Sequence, residues 1–221
     1  PIIVIVIDDF GYRFDEIVEK AIIELPITVS IIPFTQYYRE IYTLAKRYNR
    51  EIILHIPMEA YNNKNNEEVF ISSKWKEEEI ISYLEKAFSE IDAIGINNHM
   101  GSKATEDERI MSIILSFIRE KNKIFLDSFT TPNTVGYKIA KNYNLTPLKR
   151  DVFIDNHPSR YYIMDQLEKL EKTSKLKGYA IGIGHIRKET IITLEKWYKK
   201  NSNKYRFIKL SELNGMLKMK M

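Results

Sequence analysis

The chain contains no cysteine, and this absence removes several classes of site at once. Without a thiol there is no cysteine nucleophile, no thiolate metal ligand and no disulfide. No apolar run approaches the roughly 20 residues that a membrane-spanning helix requires. A glycine-rich phosphate loop is also missing, because Gly182 and Gly184 lack the third glycine and are followed by a histidine. The absence of cysteine leaves the cellular compartment open.

Charge is distributed along the chain rather than collected in one basic or acidic segment. The 221 residues carry a formal net charge of +4, and lysines alternate with glutamates along amphipathic stretches. Such alternation is typical of solvated helix faces. No basic stripe with interleaved aromatic residues occurs, so we expect no nucleic-acid partner. Because the sequence shows no internal repeat and no linker, residues 1–221 are predicted to form one domain.

Short apolar runs and amphipathic stretches alternate along the whole chain. The apolar runs predict strands at 2–7, 27–32, 51–56, 93–97, 123–127, 147–153 and 179–184, with a weaker one at 206–210. Amphipathic periodicity predicts helices at 14–24, 37–48, 75–90, 106–121, 133–143, 159–175 and 188–200. This order favours a parallel α/β fold, and its seven or eight units suit a closed or nearly closed (β/α) barrel. A doubly wound open sheet is the alternative.

Polar residues follow the apolar runs at the points where the predicted strands end. The first run ends in Asp8 and Asp9, and three others end near His55, His99 and His185. The carboxyl ends of parallel strands lie at one edge, where ligands and chemistry collect. One aspartate and two histidines form an open zinc set that leaves a position for water. Bound zinc polarises a carbonyl oxygen, so this edge suits hydrolysis of an amide or an ester.

The adjacent carboxylates of Asp8 and Asp9 admit two interpretations. Two carboxylates held close together cannot both ionise freely unless a cation is present or one of them keeps a proton. A divalent metal resolves the repulsion if one carboxylate binds it and the other polarises the water beside it. In the alternative interpretation, the pair only forms a turn or caps a helix.

The histidines also have structural alternatives. His55 directly follows an apolar run, so it is either a metal ligand or a satisfied core side chain, with Glu59 four residues on as a further oxygen ligand. Asn97 and Asn98 lie beside His99, and two adjacent amides are costly to bury without hydrogen bonds. We expect the two asparagines to support the site or to bind substrate, unless they merely form an Asn-rich turn.

The remaining candidates lie on the fifth and sixth predicted strands. Asp127 is placed to orient and charge His185 as a general acid, unless Asp127 and Ser128 simply cap the next helix. Arg150 is placed to hold one of the site carboxylates ionised, although a plain ion pair fits equally well. The long irregular stretch at 58–74 is either a lid over the site or a solvated insertion.

Six segments carry these residues in their sequence context. They are Val-Ile-Asp-Asp-Phe-Gly (6–11), Leu-His-Ile-Pro-Met-Glu (54–59), Gly-Ile-Asn-Asn-His-Met-Gly-Ser (95–102), Phe-Leu-Asp-Ser (125–128), Arg-Asp-Val-Phe-Ile-Asp (150–155) and Ile-Gly-Ile-Gly-His (181–185). Together they resemble the motifs of the divergent polysaccharide deacetylase family, in the same order and over nearly the whole chain. The resemblance implies the superfamily fold, a single-domain distorted (β/α) barrel of about seven parallel strands.

The resemblance also implies roles for individual residues. A divalent metal, normally zinc, is held by the second aspartate of the pair and by two histidines. By that pattern Asp9 and His55 are ligands and Asp8 is the general base. His185 matches the histidine that protonates the leaving amine, with Asp127 as its partner.

The chain departs from the better-known deacetylases at two places. Those enzymes carry their two ligand histidines four residues apart on one loop, and Glu59 occupies that second position here, so we expect His99 to be the third ligand instead. The superfamily's Arg-x-Pro motif is missing, and Arg150 is our candidate to replace its arginine. The residues predicted to bind substrate are Asn97, Asn98, Ser128 and Arg150.

Three hypotheses of function follow from these residues. The first is a metal-dependent hydrolase that removes acetyl groups from an N-acetylated glycan of the cell envelope or extracellular space. The second is a carbohydrate-binding barrel that keeps the metal without turnover, which the departures favour. The third is a metal hydrolase of an O-acetyl ester or a phosphoester. Because such glycans lie outside the cytoplasm and the chain begins at Pro1 on a strand, we expect a removed N-terminal segment and an extracytoplasmic location.

Overall fold

Strands and helices alternate along the computed structural model, which describes residues 1–62 and 69–220. The strands are β1 (Ile2–Phe10), β2 (Ile27–Ile31), β3 (Glu51–Met58), β4 (Gly95–Met100), β5 (Ile124–Asp127), β6 (Leu148–Lys149), β7 (Val152–Phe153), β8 (Tyr179–His185) and β9 (Arg206–Phe207). The α-helices are α1 (Glu16–Glu24), α2 (Tyr38–Arg47), α3 (Glu77–Glu90), α4 (Glu108–Glu120), α5 (Gly136–Asn142), α6 (Arg160–Lys177), α7 (Lys188–Asn201) and α8 (Leu210–Lys218). Within these ranges, no helix is long and apolar enough to cross a bilayer.

The strands pair in parallel in the order β6-β5-β4-β3-β2-β1-β8-β7, and β9 adds to β1. The two ends of this order, β6 and β7, belong to one chain segment that is divided only at Arg150 and Asp151. The Arg150 N–H donates to β5 at the Asp127 carbonyl, and the Asp151 N–H donates to β8 at the Ile181 carbonyl. One divided sixth strand therefore joins both edges. The predicted single-domain distorted (β/α) barrel is confirmed, and the doubly wound alternative is wrong.

Side chains of the strands alternate between two apolar cores. In β1, the odd-numbered Ile3, Ile5 and Ile7 pack in the layer between strands and helices. The even-numbered Val4 and Val6 pack in the barrel interior, with apolar side chains from β3, β5, β6 and β8. Successive strand residues point to opposite faces, so the same alternation places the side chain of Asp8 in the interior, at the carboxyl end of β1.

Helix α8 closes the amino-terminal end of the barrel, and it was not predicted from the sequence. Its Leu210 and Leu213 are buried in the interior core, and the weak strand predicted at 206–210 shrinks to the two residues of β9. Asn214 and Gly215 lower the intrinsic helix propensity of this segment, which tertiary burial of the two leucines overrides. In the stretch at 58–74, which the sequence leaves open as a lid or a solvated insertion, residues 63–68 lie outside the described residues.

Candidate metal centre and its surroundings

The carboxyl ends of β1, β3 and β4 bring Asp9, His55 and His99 together. Asp9 Oδ1 lies 3.3 Å from His55 Nε2 and 3.1 Å from His99 Nδ1, and the two ring nitrogens are 3.1 Å apart. One possible ligand atom from each side chain therefore lies within 4.8 Å of the others. These three residues are the predicted ligand set, and they can hold a metal ion.

The backbone at Asp9 explains how two adjacent aspartates face the same space. Asp9 has a φ of 66°, in the left-handed region that non-glycine residues seldom adopt, and Gly11 follows with a φ of 140°. This turn at the end of β1 breaks the strand alternation, so that Asp8 and Asp9 both face the histidines. A Cβ at Gly11 would come within 2.0 Å of the Thr35 hydroxyl oxygen, so a side chain has no room there.

Asn97 lies fully buried beneath this cluster and connects it to Asp8. Its Nδ2 donates to Asp8 Oδ1 over 2.9 Å, and its Oδ1 accepts from the Ser30 hydroxyl at 2.7 Å and pairs with His55 Nδ1 at 2.9 Å. The reverse amide orientation would set two acceptors, Oδ1 and the Asp8 carboxylate, against each other. Because an amide oxygen only accepts, His55 carries a proton on Nδ1, and its Nε2 faces Asp9.

Asp9 Oδ1 is buried, and no donor among the described residues reaches it with the geometry of a hydrogen bond. Burial by itself raises the pKa of the Asp9 carboxyl, but the imidazoles of His55 and His99 hold that pKa well below its ordinary range. An ionised, buried oxygen without a hydrogen bond is costly. A cation between Asp9, His55 and His99 removes this cost, so the residues fit a divalent metal. Two imidazoles and one carboxylate are an open zinc set.

His185 lies beside the cluster and is held by a buried carboxylate, Asp155. His185 Nδ1 pairs with Asp155 Oδ1 at 2.8 Å, and Oδ2 accepts from the His185 backbone N–H at 2.9 Å and from the Thr190 hydroxyl at 2.6 Å. The free Nε2 lies 3.9 Å from Asp9 Oδ2. Burial lowers the pKa of His185, but the Asp155 hydrogen bond and nearby carboxylates raise it above its ordinary value. The geometry is that of a proton donor facing the cluster.

The predicted partnership between Asp127 and His185 is wrong. In β5, Leu126 packs in the barrel interior, so the next side chain points to the helices. There the Asp127 carboxylate accepts from the Phe129 N–H and from the Thr134 hydroxyl, each over 2.8 Å. Burial raises the pKa of Asp127, although the Thr134 hydrogen bond lowers it. Asp127 stabilises the turn after β5 and does not reach the reactive groups.

Asn98, Ser128 and Arg150, which are also predicted to bind substrate, form hydrogen bonds with one another's backbone or with neighbouring backbone groups. Asn98 Nδ2 donates to the Met100 carbonyl over 2.8 Å, and Asn98 Oδ1 accepts from the Ser128 N–H over 2.9 Å. Arg150 Nε and Nη2 donate to the Ser128 and Phe129 carbonyls over 2.7 and 2.8 Å. Arg150 forms no direct ion pair among the described residues. Burial lowers the pKa of Arg150, whereas the charges of Asp8 and Asp127 raise it, so its action on a site carboxylate stays a prediction. Asn98, Ser128 and Arg150 do line the cleft, whereas Asn97 does not.

Glu59, the alternative third ligand, lies outside the cluster. Its carboxylate pairs with Lys103 Nζ at 2.6 Å and accepts from the Ser73 N–H at 2.5 Å and the Ser72 hydroxyl at 3.2 Å. Burial opposes ionisation, but the hydrogen bonds from Lys103 and Ser73 lower the pKa of Glu59 to about 2. Glu59 therefore anchors the base of the 58–74 loop, and the position beside Asp9 and His55 belongs to His99.

A cleft of about 370 Å³ opens above these residues. Asp8, His55, His99 and His185 line it together with other residues at or just after the ends of β4 and β5. Two shallower grooves, of about 520 and 590 Å³, share Arg150 with the cleft and extend it across the divided sixth strand. The opening is thus elongated, which suits a chain-like ligand better than a small compact one.

Sequence reasoning missed Asp155 as the partner of His185. Asp155 is the last residue of the Arg-Asp-Val-Phe-Ile-Asp segment (150–155), to which the sequence analysis assigns only Arg150 a role. A signal was present, because Asp155 comes two residues after β7, and β7 pairs with β8 two residues before His185. That pairing follows from barrel closure, so the fold had to be known before the partner could be.

Comparisons with known proteins show both a family and a shared fold. An uncharacterized protein from Haemophilus influenzae is 35% identical over 194 residues, which span 86% of this chain and 69% of that protein. Uncharacterized protein YibQ from Escherichia coli is 31% identical over 195 residues, which span 87% of this chain and 60% of that protein. The chain therefore covers less than two thirds of the length of the Escherichia coli relative.

Solved structures extend the comparison to the fold. The crystal structure of an uncharacterized protein from Agrobacterium tumefaciens has a TM-score of 0.88 at 21% identity and covers 96% of this chain and 88% of that one. A mutant CE4 family pseudoenzyme with restored enzymatic activity has a TM-score of 0.55 at 14% identity, over 96% of this chain and 66% of that one. A family model for divergent polysaccharide deacetylases matches residues 5–214. The chain belongs to the divergent polysaccharide deacetylase family.

Proposed function

We propose that this protein is a metal-dependent hydrolase that removes acetyl groups from an N-acetylated polysaccharide. One observation carries the proposal: Asp9, His55 and His99 converge on a single point of the cleft, and Asp8 and His185 flank that point. The family name supports a polysaccharide substrate, and the elongated cleft suits one. An extracytoplasmic location fits such a substrate and stays a prediction.

Asp9, His55 and His99 would hold the metal, for which zinc is our choice. A divalent ion bound there supplies Lewis acidity, which polarises a carbonyl oxygen and lowers the pKa of water. The chain supplies the orientation of its ligands. Asn97 fixes the His55 tautomer through Nδ1, so that Nε2 is available to the ion.

Asp8 and His185 would move the protons of the reaction. One oxygen of Asp8 is held by Asn97, and the other faces the cluster, 3.7 Å from His55 Nε2, where it takes a proton from the attacking water. The water oxygen bonds to the acetamide carbon, and the carbon–nitrogen bond then breaks. His185 Nε2 gives a proton to the departing nitrogen while Asp155 stabilises the imidazolium. The products are acetate and a free amine.

Acetate release from N-acetylated chito-oligosaccharides by zinc-loaded protein tests this function. Asp8→Asn keeps the shape and the Asn97 contact but removes the base, so we expect the rate to fall by about 10²–10⁴-fold. Zinc content should not change, which separates loss of the base from loss of the metal. An Asp8→Asn protein that releases acetate at the wild-type rate would refute the role of Asp8.

A second candidate is a barrel that binds carbohydrate without turnover. The structural likeness to a CE4 family pseudoenzyme and the missing Arg-x-Pro motif favour it. It predicts saccharide binding by the zinc-loaded protein with no acetate released. A panel of O-acetyl esters and phosphoesters, assayed in parallel, identifies a hydrolase that acts on another bond.

A further inference from the structure

Two bulky apolar residues beside the metal cluster lie in a left-handed backbone conformation. Met100, at the end of β4, has a φ of 54°, and Phe129, just after β5, has a φ of 53°. Large side chains strain this region, and such residues concentrate at functional sites. The described chain also holds Asp9 and Phe34 in this region, at other strand ends. The remaining non-glycine cases are asparagines after helices, which tolerate it well: Asn49, Asn122 and Asn144.

Asn98 ties the two strained turns together. Its side chain donates to the Met100 carbonyl over 2.8 Å and accepts from the Ser128 N–H over 2.9 Å, so one buried amide spans the ends of β4 and β5. The Thr130 hydroxyl also donates to the Met100 carbonyl, over 2.9 Å. The Met100 carbonyl is thus held by Asn98 of its own strand and by Thr130, which follows Phe129.

The turn at Phe129 is held from two further directions. Arg150 donates to the carbonyls of Ser128 and Phe129, and Asp127 accepts from the Phe129 N–H. Both polar groups of the Phe129 backbone are therefore bound by side chains. Asp127, Asn98 and Arg150, which the sequence assigned to catalysis or substrate binding, together hold this piece of backbone in an unfavourable conformation.

This backbone arrangement presents two apolar side chains to the cleft. Met100 is 37% exposed although it follows a metal-ligand candidate, and Phe129 is partly exposed. Both line the same cleft as Asp8, His99 and His185. The Lys149 ammonium lies 4.7 Å from the centre of the Phe129 ring and supports it from the neighbouring strand. An apolar surface therefore adjoins the polar reactive groups within one cleft.

A sugar ring matches this combination, because its C–H groups form an apolar face while its polar substituents lie at the edge. We propose that Met100 and Phe129 are specificity-determining residues that bind the apolar face of an N-acetylated hexopyranose unit. The proposal rests on the function proposed above, since it places the acetamido group of that unit at the metal cluster. The hydrogen bonds of Asn98, Arg150 and Asp127 support this surface by holding the backbone that carries it.

Phe34 offers a matched control for these two residues. It shares the left-handed conformation, with a φ of 65°, and is 38% exposed at the end of β2. Its ring packs instead against Tyr38 and Tyr83, at centroid distances of 6.4 and 5.7 Å, and it does not line the cleft. Replacement of Phe34 therefore removes a strained, exposed aromatic residue without touching the proposed sugar surface.

The test compares Met100→Ala, Phe129→Ala and Phe34→Ala in the zinc-loaded protein, with tri-N-acetylchitotriose as probe and calorimetry as readout. We expect the Kd to rise by about tenfold for each of the first two variants, as for loss of an apolar contact in a specific site. KM for acetate release should rise more than kcat falls, and zinc content should be unchanged. Phe129→Asn, which suits the left-handed region but lacks the ring, guards against misfolding of Phe129→Ala and should behave like it.

Different outcomes separate this inference from the proposed function. Wild-type chitotriose affinity in Met100→Ala and Phe129→Ala overturns the sugar surface, even if acetate is released normally. An equal loss in Phe34→Ala also overturns it, since the effect would then be general. A wild-type protein that binds no chitotriose overturns the ligand class. Chitotriose binding that weakens as expected, with no acetate released by wild type, supports the sugar surface and refutes only the hydrolase.

Discussion

The two sides of the cleft treat their buried polar groups in opposite ways. On the side formed by β1, β3 and β4, Asp9 Oδ1 meets two ring nitrogens and accepts no good hydrogen bond from the described residues. On the side around the turn after β5, Asn98 from β4, Asp127 from β5 and Arg150 from the divided sixth strand bind backbone groups of that turn. Polar groups without partners need a ligand, whereas satisfied ones maintain shape. The first side is therefore the reactive one, and the second is its support.

The two buried aspartates Asp155 and Asp127 give the largest contrast between these sides. Asp155→Asn removes the charge that holds and stabilises the His185 imidazolium, so acetate release should fall by about 100-fold. Asp127→Asn keeps an acceptor for the Phe129 N–H and should stay within about threefold of wild type. Steady-state rates of the two variants, at equal zinc content, measure the difference. Equal losses would remove the distinction between a reactive side and a support.

The free energy of unfolding should depend on Asp127, because its carboxylate holds the turn after β5. Asp127→Ala leaves the Phe129 N–H and the Thr134 hydroxyl without their buried acceptor, which we expect to cost about 2–3 kcal/mol of unfolding free energy. Urea denaturation of the metal-free proteins measures this, with Asp127→Asn as the isosteric control. A loss below about 0.5 kcal/mol would show that the turn does not depend on Asp127.

The smallest change in unfolding free energy is expected away from both sides of the cleft, at the Glu59–Lys103 ion pair. The folded-state pKa of Glu59 is about 2, below its ordinary value of 4.5, so its ionised form stabilises the fold. That contribution is full above pH 4.5 and is lost as the pH falls toward 2. Glu59→Gln should therefore cost about 1 kcal/mol at neutral pH and progressively less in acid. Unfolding free energies of both proteins between neutral pH and pH 3 test the sign, and a difference that grows in acid would contradict it.

Sequence periodicity was sufficient for the barrel and for bringing the ligand candidates Asp9 and His55 to one edge of it. The apolar runs that end in Asp8, His55 and His185 are buried strands, and parallel pairing alone brings their ends to one edge. His99 over Glu59 was predicted from the motif context, and the structure places His99 beside Asp9. The roles of these residues stay proposals.

The errors arose where side-chain direction decides the outcome. Strands of a parallel sheet are apolar on both faces, so the sequence Ile-Phe-Leu-Asp shows no alternation from which the direction of Asp127 could be read. The partner of His185 depends on barrel closure through the divided strand at Arg150 and Asp151, which no local pattern encodes. The bonds of Asn98 and Arg150 to backbone carbonyls likewise depend on turns with unusual φ values, which the sequence does not reveal. Contact of these two residues with substrate stays a prediction.

Zinc content of the purified protein, before and after incubation with zinc, tests the metal centre most directly. Wild type should retain stoichiometric zinc after dialysis. His99→Ala should lose it, because Asp9 and His55 alone leave the ion with two protein ligands. Glu59→Gln should keep it, because Glu59 bonds to Lys103 and Ser73 and not to the cluster. Wild-type protein that binds no zinc, or equal loss in both variants, would contradict a metal site built from Asp9, His55 and His99.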